Sequence, residues 1–516
     1  MDERGELYNV NAKPSAYREL KIWGKTVISN HIYEMELPLE DGRRFDLRGE
    51  FDGKYPIYPK LVKRKFAKLS DEFYSAYYEE GGYIITQGMG WLKAQKSSAK
   101  LRGNCEKKFR EEMRRKLEGP ELLEIQKEEI LEGFKFRKAY FARKRFHKKR
   151  IWLITDRINL AGDNGEAFFR YVASEKTGEV DAYFVISSES KDYERMKRIG
   201  KVIPYKSFKH KLYTLFADKI ISSQGEDNIV NPFDTGKMCV GDLFHYQYVF
   251  LQHGITKDDL SIWLNKFNKN IDLFVTAAYP EYKSILDGDY HYDERVVKLV
   301  GFPRFDSLVQ DKKPEKTIIF LPTWRTELAI EMDQKTGIRP YNTEFKKSDY
   351  YQFYQKLIND ERLVAAMKRC GYRGKFCVHT NNLPNASDFT GNEVIKVVAE
   401  AIDYQKEFKE NALLITDYSS VAYDFAFLQK PVIYTQSDRK AFFAGQMYDE
   451  GYWDYDSMGF GPVCKDYEST VNAIIAQVEA GCVLEDVYKK RIEAFYYAFD
   501  RNNCQRVFEA IEALNG

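Results

Sequence analysis

What is scarce in this chain narrows its possible classes first. Its seven cysteines, at positions 105, 239, 370, 377, 464, 482 and 504, include no C-x-x-C pair. That scatter argues against a structural zinc site and against a disulfide framework, and it suits a reducing compartment. Excess charge is scarce too: 80 Lys and Arg against 78 Asp and Glu leave a net charge of +2. Bulk charge therefore calls for no polyanionic partner, and any basic function must be local. No apolar run approaches the roughly 20 residues that cross a bilayer. The opening MDERGELYNV lacks the apolar core of a signal peptide. With no recognised nucleic-acid module either, nucleic acid is not an expected ligand. These absences predict a cytoplasmic chain. What is present, 44% apolar and 15% aromatic residues over 516 positions, excludes disorder. The length allows about three domains with ample core.

The texture of the sequence changes three times. Residues 1–103 alternate aromatic and polar positions between Gly, Asp and Pro turns, as in ELKIWGKTVI, RRFDLRGEF and GYIITQGMGWLKAQ. This predicts a small β-sandwich-like accessory domain. Residues 104–150 turn helical and charged, ending in FKFRKAYFARKRFHKKR, where Lys135, Arg137, Lys138, Arg143, Lys144, Arg145, Lys148, Lys149 and Arg150 interleave with aromatic rings. Basic groups attract anionic head groups and rings insert at the interface, so a peripheral contact with an anionic membrane is the reading, beside that of an ordinary solvated helix face. From 151 to 315 short β-rich runs (IWLIT, AYFVIS, KVIPY, KIISS, YVFLQ, LFVTAA, VVKLV) alternate with helical segments, and a second series (TIIFLPTW, KFCVHT, VIKVV, ALLITD, PVIYT) fills 316–516 before closing helices. The expected fold is α/β and GT-B-like: two Rossmann-like lobes around a cleft, with ligands beyond the carboxyl ends of the parallel strands.

Five stretches at such strand ends carry candidate chemistry. In LLITDYSSVAYDFAF a strand stops at Asp417, and Ser419 and Ser420 open a helix. Two hydroxyls beside a helix N-terminus suit a phosphate, although Ser is also an ordinary cap. Asp424, four residues after Ser420, shares its helix face and suits ribose hydroxyls. In FLQHGITKDD, His253 ends a buried strand ahead of Gly254 in a chain with only seven His, the position of a base for an alcohol proton. Arg325 of LPTWR offers a planar fork to phosphate oxygens, and His379 of KFCVHTNN ends a strand of the second lobe. The turn Gly162, Asp163, Asn164, Gly165 permits close approach of a substrate. Asp454 and Asp456 in YWDYDSM have the look of a DxD, but a surface loop is the reading, and no metal site is expected.

Six ordered motifs, IWLITDRINLAGDNGEAFFRY, YVFLQHG, GFPRFDSL, LPTWR, ITDYSSVAYDFAFLQKPVIY and GFGPV, together resemble the CDP-glycerol glycerophosphotransferase family of teichoic acid and capsule polymer synthesis. The resemblance runs from about residue 150 to the C-terminus and leaves residues 1–103 unexplained. It implies a membrane-associated enzyme that moves glycerol phosphate from CDP-glycerol to a lipid-linked acceptor and releases CMP, with no cofactor. By position it makes His253 the base and His379 the second active-site His. It sets Ser419 and Ser420 at the donor phosphates, with Asp417 and Asp424 in the same motif. Two departures stand out. Many members read Trp-His-Gly-Thr-Pro with a spaced Lys, whereas this chain has Gln252, His253, Gly254, Ile255, Thr256 and Lys257; and Thr380 stands where Pro often follows the second His. The alternatives are a CDP-ribitol ribitolphosphotransferase, a nucleotide-sugar glycosyltransferase of the same fold, and a non-catalytic polymer-binding scaffold.

Overall fold

The computed structural model describes residues 13–22, 25–34, 40–46, 49–51, 55–57, 77–88, 91–144, 150–309, 312–331, 339–400, 402–444 and 450–514. The chain forms two compact units: Met1–Leu251 with Trp263–Phe274 and Gly288–Val296, and Gln252–Ile262 with Val275–Asp287 and Val297–Gly516.

In the first unit the N-terminal strands are antiparallel. Lys13–Ile22 pairs with Lys25–Glu34, and a four-stranded sheet runs in the order Arg44–Asp46, Trp91–Lys96, Tyr83–Gly88, Tyr78–Glu80. Ser98 caps the helix Ala99–Glu118 by accepting from the Leu101 N–H, and Ile84 of the sheet, with Tyr77 just ahead of its last strand, packs on Cys105 of that helix. The next helix, Glu124–Arg143, is seated rather than free. Arg137 is 2% exposed. Its Nη1 and Nη2 donate to the two oxygens of Asp242 at 2.7 and 2.9 Å, and its Nε donates to Glu106 at 2.9 Å. A Cβ on Gly133 would lie 2.6 Å from the Gly236 carbonyl, so only glycine permits this approach. Phe136 and Tyr140 are buried with Arg137, which corrects the expectation for these three: they are core, because the guanidinium has found two carboxylates. Lys135, Lys138, Arg143 and Lys144 remain exposed, while Arg145, Lys148 and Lys149 lie outside the described residues.

Beyond this helical pair lies a parallel sheet in the order Val202–Pro204, Asp181–Ile186, Ile151–Thr155, Ala217–Ser222, Gln247–Phe250 and then Leu273–Thr276. Every residue of Ile151–Thr155 is buried, which is why the run reads as continuously apolar rather than alternating.

The second unit is built on a six-stranded parallel sheet in the order Ile395–Val398, Arg373–Cys377, Thr317–Leu321, Leu413–Thr416, Val432–Thr435, Val463–Cys464. The helices Asp349–Ile358, Glu361–Cys370 and Tyr467–Glu479 cover it with Tyr354, Leu357, Leu363, Met367, Val471 and Ile474. The unit also takes in 252–262, 275–287 and 297–315, which the sequence reading grouped with the preceding lobe. Side-chain bonds explain this: Asp306 accepts from the Asn503 and Cys504 N–H groups at 2.7 and 2.9 Å, capping the last helix, Asn503–Ala513.

Candidate active site

In the second sheet the chain leaves Thr317–Leu321 toward one edge and returns through Leu413–Thr416 on the other side. The crevice past the carboxyl ends of these two neighbours is where such sheets bind ligands. Two loops meet there, Thr323 to Arg325 and Asp417 to Ser420. Asp417 is fully buried. It accepts from the Thr323 N–H at 2.8 Å, the Tyr418 N–H at 2.6 Å and Arg325 Nη2 at 2.9 Å. Arg325 is 4% exposed, and its Nε donates to Asp438 at 2.8 Å while its guanidinium lies 4.9 Å from the Phe442 ring centre. Both residues, expected at the donor phosphates and nucleotide, are thus committed to each other and to the loop ends. Their chemistry here is to hold the crevice in shape.

The two serines are placed differently. Ser420 is exposed and sits at the N-cap of the seven-residue helix Val421–Phe427, yet its side chain makes no cap bond. Ser419 is half-buried and accepts only a long bond, 3.4 Å, from the Val421 N–H. Asp424 does lie one turn along, but it faces inward. Its two oxygens receive Nε and Nη2 of Arg304, each at 2.7 Å, with Asp424 8% and Arg304 6% exposed. Arg304 belongs to the GFPRFDSL motif, so two of the six motifs meet in one buried ion pair.

His253 is exposed on a tight loop that follows the strand Gln247–Phe250 in sequence. Gln252 before it adopts φ +59°, a left-handed conformation costly for a side chain with a Cβ. That conformation is held by Glu281, fully buried in the helix Tyr279–Asp287. Glu281 Oε1 accepts from Gln252 Nε2 at 3.0 Å and from the Thr256 N–H at 2.8 Å, and Oε2 accepts from the Ala277 N–H at 2.8 Å. Burial pushes this carboxyl up to about 7, against the pull of those donors. Gly254 faces the serine helix: a Cβ built on it would sit 3.5 Å from Ser420 Oγ. His253-Gly254 and the serine turn are therefore neighbours within one unit.

His379 caps the 3-10 helix Thr380–Asp388, its Nδ1 accepting from the Asn381 N–H at 3.2 Å. An accepting Nδ1 puts the proton of the neutral ring on Nε2, which makes His379 a donor toward an anion. Its ring stacks on Trp324, with centres 6.3 Å apart. Lys257, whose role the spacing left unassigned, is buried and pairs with Asp258 at 2.6 Å.

In the first unit the turn before the helix Asn164–Glu175 is organised by an internal carboxylate. Asp156, 1% exposed, accepts from the N–H groups of Asp163, Gly165 and Glu166 at 3.1, 2.7 and 3.0 Å and from Ser223 Oγ at 2.8 Å. It fills the place an anion takes at a helix N-terminus. Burial, then the charge of Asp163, pushes its carboxyl up to about 7. Asn164 is fully buried and donates to the Leu251 carbonyl at 3.3 Å, and Asp163 caps the helix through the Asn164 N–H at 2.7 Å. Gly165 admits no substrate, since a Cβ there would lie 2.5 Å from both Asp156 Oδ1 and the Thr155 carbonyl. Asp454 caps Tyr455–Met458, and Asp456 pairs with Lys465 at 3.2 Å. Among the described residues no cluster of His, Cys, Asp or Glu is arranged to hold a metal ion.

The residues missed in the sequence, Asp156, Glu281 and Arg304, share one property: each is a buried ionisable side chain whose partners are brought to it by the fold. For Asp156 a signal was there to read, since Leu-Ile-Thr-Asp occurs at 153–156 and again at 414–417. Glu281 stands two residues after an exposed Tyr279 on a short helix and carries no local mark.

Comparison with known proteins gives the family. The chain is 39% identical over 463 residues to the minor teichoic acid biosynthesis protein GgaB of Bacillus subtilis (strain 168), covering 90% of this chain and 50% of GgaB. It is 21% identical over 217 residues to the teichoic acid glycerol-phosphate transferase of Staphylococcus aureus (strain NCTC 8325 / PS 47), covering 39% of this chain and 50% of that protein. It thus spans at most about half the length of these relatives. Among solved structures, a variant of the wall teichoic acid polymerase TagF shares the fold, with a TM-score of 0.53 at 14% identity over 76% of this chain and 99% of that one. A second TagF variant, soaked with CDPG, gives 0.52 at 14% identity over 75% and 98%. Residues 136–513 match the profile of one family, and the chain belongs to it: CDP-glycerol:poly(glycerophosphate) glycerophosphotransferase.

Proposed function

We propose that this chain transfers glycerol phosphate from CDP-glycerol to the terminal hydroxyl of a lipid-linked teichoic acid or capsule polymer precursor, releasing CMP. The observation that carries the reading is the approach of the His253-Gly254 loop to Ser420, with His379 in the same unit. Gly254, next to the exposed His253, approaches the serine turn at the switch point of a parallel sheet. Support for the donor comes from family membership and from the TagF structure soaked with CDPG.

In this reaction His253 takes the proton of the acceptor hydroxyl, and the acceptor oxygen bonds to the β-phosphorus of CDP-glycerol. The bond from that phosphorus to the bridging oxygen breaks, and its electron pair leaves with CMP. Phosphoryl transfer of this kind gains most from positioning and charge stabilisation. Ser419 and Ser420 donate their hydroxyl protons to phosphate oxygens, and His379 donates from Nε2. Arg325 and Asp417 keep the loops in register, and the Arg304–Asp424 pair anchors the serine helix. The protein works at the cytoplasmic face of the membrane, where its lipid-linked acceptor is held.

The test is CMP release from CDP-glycerol and from CDP-ribitol, each with a short lipid-linked glycerol-phosphate acceptor. Wild type releases CMP from CDP-glycerol, and His253→Ala lowers the rate by roughly 10²–10⁴-fold, the usual worth of a positioned base. Release from CDP-ribitol alone replaces the donor. Release from neither, or an undiminished rate in His253→Ala, overturns the reading in favour of a binding scaffold or a different base.

A further inference from the structure

Glu281 touches neither His253 nor the serines in any bond described above, yet it controls the backbone on both sides of His253. One carboxylate oxygen receives the side chain of Gln252 and the N–H of Thr256, at 3.0 and 2.8 Å. The ring between those two points is closed a second time, by Thr256 Oγ1 donating to Gln252 Oε1 at 2.6 Å. Gln252 Nε2 also donates to the Val275 carbonyl at 2.7 Å, and the other oxygen of Glu281 takes the Ala277 N–H at 2.8 Å. The five-residue loop from Gln252 to Thr256 is thereby stapled to the end of the strand Leu273–Thr276. Gln252 is held at φ +59°, a conformation its own preference opposes. All the groups in these bonds are buried: Gln252 is 2%, Thr256 6% and Glu281 0% exposed. His253 is the exposed residue that this staple presents.

We propose that Glu281 is a positioning residue for His253, acting through Gln252 and Thr256 to hold the His253-Gly254 loop against the Ser420 turn. The proposal rests on the transferase reading for its kinetic consequence, and on geometry alone for its structural one. Each neighbour of the carboxylate named here is a donor, so both oxygens must accept. Glu281→Gln keeps the size but turns one acceptor into an N–H group facing another N–H, and one side of the staple opens. A misplacement of about 1 Å at a reacting group costs about 10²-fold in rate.

The experiment pairs two readouts on full-length wild type, Glu281→Gln, Thr256→Val, His253→Ala and the Glu281→Gln/His253→Ala double variant. Amide hydrogen exchange reads the loop without reference to any substrate. Whichever of the Thr256 and Ala277 amides faces the new N–H group exchanges at least about 10-fold faster in Glu281→Gln, while the strand Leu413–Thr416 is unchanged. CMP release reads the consequence: kcat falls about 10- to 100-fold with KM for CDP-glycerol within about 3-fold, and the loss vanishes in the His253→Ala background because the residue being positioned is gone. Thr256→Val opens the staple from its other end and shows a smaller loss of the same pattern, which covers the case of a poorly folding Glu281→Gln. Unaltered exchange overturns the proposal, as does an equal loss of kcat with and without His253. No CMP release by wild type overturns the transferase reading, and the exchange arm then decides the staple by itself.

Discussion

At the scale of single residues, the site is defined by which charges are free to act and which are tied. Arg304 and Asp424 show the second case. Two bonds of 2.7 Å between groups 6% and 8% exposed tie each to the other. Removing one partner strands the other in a low-dielectric setting, which typically costs 3–5 kcal/mol, about this range being expected for Arg304→Ala. Urea denaturation should show that loss, with Arg304→Met/Asp424→Leu recovering most of it; a loss below about 1 kcal/mol in Arg304→Ala would mean that water reaches the carboxylate. The residue types at the strand ends were legible in the sequence because Asp, Arg, His and Ser stood out against apolar runs. Whether Arg325 would meet a phosphate or Asp417 was not, since both use the same fork of donors and only proximity chooses between them.

At the scale of elements, the chain uses one device twice. Thr155 Oγ1 donates to the Val185 carbonyl at 2.8 Å, and Thr416 Oγ1 donates to the Leu321 carbonyl at 2.7 Å. In each case the Asp that follows is buried and gathers backbone N–H groups of the adjoining loop. The two copies differ in what comes next. After Asp156 the helix N-terminus closes on the carboxylate, whereas after Asp417 the chain turns outward and shows Ser420. The glycine at 165 is part of the closed form. Gly165→Ala places a methyl 2.5 Å from the Thr155 carbonyl and Asp156 Oδ1, both held by other bonds. Such overpacking costs about 1–3 kcal/mol. Thermal denaturation should register it, and an unchanged midpoint would show that the loop can yield. The strand runs were legible because buried parallel strands read as apolar blocks ending in polar residues. The start of the helix at Asn164 was less so, because the cap is set by Asp163 and by Asp156 from another element.

At the scale of the molecule, no described helix is long and apolar enough to cross a membrane. The lipid-linked acceptor proposed above would be met at the membrane surface. The helix Glu124–Arg143 keeps Lys135, Lys138, Arg143 and Lys144 exposed, and Leu123, Ile125 and Leu131 beside or within it are 68%, 63% and 51% exposed. Each basic group near an anionic surface contributes about 1 kcal/mol. Reversing the four to Glu should abolish sedimentation with vesicles containing anionic lipid and leave CMP release from a soluble acceptor intact. Sedimentation equal to wild type would sink the membrane contact. The N-terminal sheet is tied to this region by Glu79, which accepts from Arg102 Nε at 3.2 Å and Lys144 Nζ at 3.3 Å.

The order of apolar blocks determined the α/β class and the two parallel sheets, because burial on both faces of a strand leaves its mark residue by residue. The motifs determined the family, because their residue types and order survive without any partner being known. Only the tertiary structure decided which charged residues are tied to one another, since a buried Asp finds its donors on elements far away in the chain. Arg137 reaches Asp242, Arg304 reaches Asp424, and Glu281 holds the turn before it. Those pairings depend on distances of about 3 Å, which no local pattern in a sequence carries.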